Sequence, residues 1–275
     1  MLALLGRKLA ISLPDTVLED KDSLRDKTAK LGLIARACAI YGVDVIEVFR
    51  DAKGRGEGQV IRRVLEYLET PQYLRRRLYP LDEALRYAGM LPPLRIPSHK
   101  AKVPMDRLQP GEIREGVVNQ DETVDIGLDA PPKLEGRAPP GKRVTTEVTS
   151  LSPLSARLIQ REQVSGYWGY IVEEKTIDGV LSDARFNTKI ATSKLGTPFA
   201  DALTRLRTAL RGSGGFKLIF GSPSRGLFDI VGRNLAERVD LVINLFPEQQ
   251  VETVRTEEAI FVGLGLVSVL SAEKA

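Results

Sequence analysis

The spacing of hydrophobic positions changes several times along the chain, and each change predicts an element. Residues 9–13 (LAISL) read as a buried strand. Leu24, Leu31, Ile34, Ala35 and Cys38 then recur at helical spacing until Gly42 stops the helix. VDVIEVF (43–49) is the next strand, and strand, helix, strand with short connections predicts a parallel sheet. A glycine-rich loop, DAKGRGEGQ (51–59), expected to be mobile, leads into a helix over Val60 to Leu68 and a second after Pro71.

From Leu91 the pattern is different. LPPLRIPSHKAKVP is rich in proline, which blocks helix and central-strand pairing. EIREGVV, TVDIGL and KRVTTEV are short β-like pieces interrupted by a turn-rich insert, PPKLEGRAPPGK. Short strands without helical period predict a small antiparallel barrel of OB type, an architecture that often holds single-stranded nucleic acid. The α/β pattern returns with GYWGYIVEE (166–174) and TKIATS (188–193). Thr197 is expected to cap a helix begun by Pro198, with Leu203, Leu206 and Leu210 on one face and Gly212 to Gly215 closing it. FKLIFG, DLVINLFP and a terminal helix, AIFVGLGLVSVL, complete the alternation. That last helix is apolar all round, so it must be enclosed, within one subunit or at a dimer interface. The economical organisation is a sheet domain over 1–95 and 165–275, with a barrel over 96–164 inserted.

Composition narrows the chemistry. The 275 residues are 43% hydrophobic, enough for a real core. No apolar run approaches the roughly eighteen residues of a membrane span, and MLALLGRKLAISLP is too short and wrongly charged for a signal peptide. The single Cys, Cys38, sits in a helical pattern, and the single His, His99, in a loop. Disulfides, His-based triads and a metal cluster are therefore not expected, and a cytoplasmic setting is. Net charge is only +4, but Arg50, Lys53, Arg55, Arg62, Arg63, Arg75, Arg76 and Arg77 outnumber the acidic residues between 50 and 80. With Tyr67, Tyr73 and Tyr79 nearby, this stretch suits a nucleic-acid backbone and stacked bases, although a solvated helix face has a similar composition.

Three strand ends carry the candidate chemistry: IATS (190–193), FGSPSRGL (220–227) and INLFPEQQVETVRTEEA (243–259). In an open parallel sheet, ligands settle outside the carboxyl ends of strands. A strand running through Gly, Ser and Pro into a helix would suit a phosphate, but the loop lacks the Lys-Ser or Lys-Thr pair of a P-loop and the spacing of a dinucleotide fingerprint. A ligand with less negative charge fits better. After Pro247 the chain makes a polar excursion before Thr256 can cap a helix whose first turn carries Glu257 and Glu258. Both carboxylates also suit the positive helix end with no further role.

FGSPSRGL resembles the FGSE-x-x-GL loop of the SPOUT methyltransferases, and Pro247 followed by TVRTEEA resembles that superfamily's third motif. GYWGY, IATS, the GL loop and above all VRTEEAI with an upstream N-x-x-P are similar to a family of RNA methyltransferases, archaeal and eukaryotic, that carry an OB-like insert in a SPOUT domain. The resemblance spans most of the chain. It implies an α/β fold with a SPOUT-type parallel sheet and a C-terminal trefoil knot, dimerisation through the knot, and S-adenosylmethionine held bent between three loops. Carried onto this sequence, the cofactor residues are Thr192 and Ser193; Gly221, Ser222, Pro223, Gly226 and Leu227; and Ile243, Asn244, Leu245, Pro247, Gln249, Thr253 and Val254.

Pro223 stands where many ribose-methylating relatives have Glu, and Arg255 where they have Asn, so a base nitrogen is the favoured acceptor. Asp183, Arg185, Asn187, Arg225 and Arg255 are candidates to hold or deprotonate that base, with Arg225 and Arg255 favoured as catalytic. The resemblance favours ribosomal over transfer RNA as the partner, and the apolar-run lengths and the single Cys and His add the expectation of no membrane and no metal. Rival readings are a non-catalytic RNA-binding or ribosome-assembly protein on the same scaffold and, more distantly, a small-molecule α/β enzyme. Small residues at Gly221 and Gly226 favour an intact cofactor site.

Overall fold

A computed structural model describes residues 7–102, 104 and 107–272. Its elements in chain order are β1 (Leu9–Pro14), α1 (Leu24–Tyr41), β2 (Val45–Phe49), α2 (Gly58–Glu69) and α3 (Gln72–Leu78). Then come β3 (Ile113–Val118), β4 (Val124–Asp125), β5 (Lys133–Glu135), β6 (Arg143–Leu151) and β7 (Leu154–Ile159). The chain continues with β8 (Ile171–Lys175), α4 (Ile177–Ser182), β9 (Thr188–Pro198), α5 (Phe199–Arg211), β10 (Phe216–Ile219), α6 (Leu227–Val231), α7 (Leu235–Arg238), β11 (Leu241–Asn244) and α8 (Thr256–Ala272). Two compact units result. One holds the described residues up to Glu66, Ala84–Pro92 and those from Tyr170 on; the other holds Tyr67–Glu83 and Pro93–Gly169.

The first unit is built on a six-stranded sheet in the order β11-β9-β10-β1-β2-β8, parallel throughout. Its central strands are buried on both faces, as a parallel sheet between helices requires. Successive residues of β10 show the two faces. Ile219 joins Phe49, Val180, Leu181, Leu227 and Leu235 under α4, α6 and α7, while Leu218 faces Gly263 of α8. Helix α1 starts where the Ser23 hydroxyl accepts from the Asp26 amide and stops at Gly42, whose left-handed φ of 71° favours glycine. It buries Leu31, Ile34, Ala35 and Cys38 as its periodicity predicts, while Leu24, at its first residue, is half-buried.

One ladder is interrupted. Leu241 and Val242 of β11 pair with Ile190 and Ala191 of β9, but Ile243 and Asn244 pair with Thr197 and Pro198. Residues 192–196 therefore stand out of the sheet as an arch. This corrects the expected helix start: Thr197 is held in the ladder, and α5 begins after Pro198 without a side-chain cap.

The second unit has a five-stranded sheet in the order β4-β3-β6-β7-β5, with β5 and β7 parallel. A bridge between Thr123 and Lys133 joins its two edges. Strand β5 lies inside the segment expected to be only turns, and β7 was not anticipated; β5 is too short to show a period and is defined by its partner. Leu108, Val118, Val124, Ile126, Leu134, Val148 and Ala156 form the core.

Beside that core, Glu115 accepts from Arg143 Nε (2.7 Å), Thr145 Oγ1 (2.7 Å) and Trp168 Nε1 (2.7 Å), and Glu69 bridges Arg143 and Arg161. The aromatic and basic residues read as a nucleic-acid stretch are partly consumed by packing. Tyr67 and Tyr79 meet edge to face at 5.5 Å, Arg75 stacks 4.6 Å from the Tyr67 centroid, and the Tyr73 hydroxyl donates to the Glu115 carbonyl. Lys53, Arg55 and Arg76 remain exposed. Among the described residues no helix is long and apolar enough to cross a membrane.

Candidate functional site

The three segments that follow β9, β10 and β11 meet around one cavity of about 300 Å³. The arch after β9 is tied down from both sides. Thr192 Oγ1 donates to the Ile219 carbonyl (3.1 Å), and Asn244 Nδ2 donates to the Lys194 carbonyl (3.0 Å). The loop after β10 is a tight turn: the Ser222 amide donates to the Arg225 carbonyl (2.9 Å), and the Arg225 amide returns to Ser222 Oγ (3.0 Å). Gly221 is required there, since a Cβ would lie 2.8 Å from the Arg225 carbonyl oxygen. After β11, Gln249 Nε2 closes its own loop by donating to the carbonyls of Val251 (2.9 Å) and Glu252 (3.0 Å).

Helix α8 starts differently from the expectation. Thr256 lies inside the first turn and turns its hydroxyl toward the Gly221 carbonyl (3.4 Å), linking the second and third loops, while Glu258 accepts from the Arg255 amide (2.9 Å). Glu257 does more than complement the helix end. It is buried and pairs with Lys30 of α1 (3.1 Å), which also holds Asp20 (2.7 Å).

A support behind the second loop escaped the sequence reading: the turn after β1. Glu19 accepts from Ser222 Oγ (2.7 Å), the Ser224 amide (3.1 Å) and Ser224 Oγ (2.6 Å). Burial alone would raise the pKa of this carboxyl, but the serine donors and nearby Arg225 outweigh it and hold it below the ordinary value. Asp15 accepts from the Asp51 amide (2.9 Å), and its carboxyl is pushed up by burial against the opposing pull of Arg50. Asp51 is almost fully buried and pairs with the Arg225 guanidinium, with Thr16 Oγ1 3.2 Å from the same carboxylate oxygen. Only acidic residues in two separate loops, Asp15 and Glu19 after β1 and Asp51 after β2, marked this support, and no spacing in the sequence connects the two loops.

The cavity collects most of the expected residues: Thr192 and Ser193 from the first loop, Gly221 to Gly226 from the second, and Asn244, Leu245, Gln249, Thr253 and Val254 from the third. Leu227 and Ile243 turn into the hydrophobic core, and Pro247 and Arg255 are exposed; none of these four lines the cavity. Asp183 and Arg185 lie elsewhere, in an ionic cluster with Glu47, Glu173, Lys175 and Lys217. Glu47, Glu173 and Asp183 approach one another closely enough to suit a cation, but these lysine and arginine groups already serve them. Asn187 donates to the Ser213 carbonyl instead (3.3 Å). His99 is mostly buried, with Nε2 2.7 Å from the Glu69 carbonyl, a structural contact.

The chain is similar to known proteins along nearly its whole length. A family model described as "Putative RNA methyltransferase" matches residues 8–267. An uncharacterized protein of Haloarcula marismortui is 32% identical, with 93% of this chain and 96% of that protein covered. The human 28S rRNA (uridine-N(3))-methyltransferase is 33% identical, with 93% of this chain and 76% of the human protein covered. Among solved structures, a probable methyltransferase from Bordetella pertussis Tohama I aligns at TM-score 0.45 and 10% identity, over 98% of this chain and 99% of its own.

Proposed function

The chain belongs to the family described as "Putative RNA methyltransferase", and from that premise we propose that it methylates a base nitrogen of ribosomal RNA with S-adenosylmethionine as donor. One observation carries the reading: three strand-end loops, remote in sequence, line a single cavity. The human relative's name, 28S rRNA (uridine-N(3))-methyltransferase, supports both the RNA class and a ring nitrogen as acceptor.

The cavity suits the donor. Phe220, Leu245 and Phe246 offer apolar surface, while Ser193, Ser222, Asn244 and Gln249 offer hydrogen-bonding groups. Loops dominated by small and neutral residues match a ligand without phosphate. The cofactor would supply an electrophilic methyl group on a sulfonium. The protein's task is then to place the acceptor in line with it, exclude water and manage the acceptor's proton. Arg225 lines the cavity and can stabilise negative charge on the base as that proton leaves.

The remaining features form one proposal. The arch at 192–196, with β11 changing register beneath it, is read as the loop of a trefoil knot of SPOUT type. The five strands of the second unit, in a ring order with one parallel pair, are read as an OB-like barrel that helps hold RNA. Exposed Val262 and Val269 on α8, and Leu33 and Ile40 on the helix it packs against, offer apolar surface for a homodimer through the knot. A cytoplasmic enzyme needing no metal completes the picture.

Mass spectrometry of ribosomal and transfer RNA from a deletion strain tests the proposal. The expected result is loss of one base-methyl mark from ribosomal RNA. Loss of a 2′-O-methyl mark, or no loss, would overturn it.

A further inference from the structure

We propose that Asp51 is a positioning residue for methyl transfer: it grips Arg225 so that one guanidinium nitrogen is presented to a carbonyl oxygen of the acceptor base. The inference rests on the base-nitrogen reading above and adds a residue outside the three loops. Strand order makes the pair possible. In the sequence β10, β1, β2 across the sheet, the loop after β10 reaches past the end of β1 to the residue just beyond β2. Asp51 Oδ2 takes Arg225 Nη2, and Asp51 Oδ1 accepts from the Lys53 amide (3.3 Å). The carboxylate is thus committed to fixed donors, which suits a clamp better than a proton acceptor.

Arg225 is equally constrained, but incompletely satisfied. Its Nη1 is buried and has no hydrogen-bond partner among the described residues, although Arg225 lines the cavity. Buried donors in native proteins are nearly always paired, so this one is left over for a partner that the described residues do not supply, and a base entering the cavity beside Arg225 offers one. The loop carrying Asp51 is shaped around the pair. At Gly54 a Cβ would stand 2.2 Å from Thr16 Cγ2 and 3.3 Å from Arg225 Nη2, so only glycine lets the backbone come this close. Gly54 thus seats this part of the glycine-rich segment against the pair.

The charge balance selects the ligand atom. The guanidinium already has one carboxylate, so a second full negative charge, such as the carboxylate of the methyl donor, would compete with Asp51. A carbonyl oxygen beside a ring nitrogen needs only a donor, and needs it most when the nitrogen loses its proton and charge spreads onto that oxygen.

Single-turnover methylation of total RNA from the deletion strain, with isotopically labelled S-adenosylmethionine, tests this. Asp51→Asn should slow the rate about tenfold or more while leaving the Kd for S-adenosylmethionine within about twofold, a split a general folding defect would not produce. Asp51→Glu should recover part of the rate, and should carry the comparison if Asp51→Asn fails to fold. In the Arg225→Ala background, Asp51→Asn should have no further effect, because its action runs through the arginine. An unchanged rate, a matching loss of cofactor affinity, or additive effects in the double variant would overturn the role of Asp51. A wild-type product methylated on ribose would instead overturn the base-nitrogen reading, and the two failures are told apart by the nucleoside recovered.

Discussion

Gly196 lies directly on the backbone of Ile243: a Cβ at Gly196 would stand 2.7 Å from the Ile243 carbonyl carbon and 2.8 Å from its amide nitrogen. This contact lets the arch after β9 close over β11, and so brings the first and third loops to one cavity. Backbone atoms of a sheet strand cannot rotate aside as a side chain can. Gly196→Ala should therefore cost about 2 kcal/mol or more in urea unfolding, whereas Gly89→Ala, with no heavy atom near its Cβ, should stay within about 0.5 kcal/mol.

Glu19 organises the second loop from outside by accepting from Ser222 and Ser224. Replacing it by Ala removes the anchor but no core packing. Calorimetry should show S-adenosylmethionine binding weakened about tenfold, with the melting temperature nearly unchanged. Unaltered affinity would mean that the turn holds its shape unaided.

Arg225 is assigned to the acceptor rather than to the donor. Arg225→Ala should leave cofactor affinity nearly intact and lower the methyl-transfer rate about a hundredfold, the effect of losing one donor to developing charge. Equal loss of both would refute that division of labour.

Glu115 makes stability depend on pH. Burial alone would raise its carboxyl, but Arg143, Thr145 and Trp168 prevail and hold it below the ordinary glutamate value. A depressed folded-state pKa stabilises above the unfolded pKa, and that stabilisation is lost as pH falls through the folded value. Glu115→Gln should thus be destabilised by about 2 kcal/mol at pH 7, and the deficit should shrink below about pH 4. Denaturant unfolding of both proteins across pH 3–7 measures it, and a deficit constant with pH would exclude the charge as its source.

Much of this was legible in the chain because it is local. The apolar spacing of α1, its stop at Gly42, the strands of the parallel sheet and the small-residue ends of β9 and β10 each follow from neighbouring residues. Features set by remote partners were not legible. Strand β5 exists because β7 pairs with it, and Thr197 left its expected capping role because Ile243 holds it in a ladder.

The same division runs through the site. The sequence alone determined the α/β class, the three polar loops and the RNA-methylating family they resemble, because backbone propensity and motif chemistry act over a few residues. Only the tertiary structure decided that Glu19 braces Ser222, that Glu257 is buried on Lys30 and that Asp51 takes Arg225. A charged side chain chooses its partner by distance through space, and strand order, rather than spacing along the chain, sets that distance.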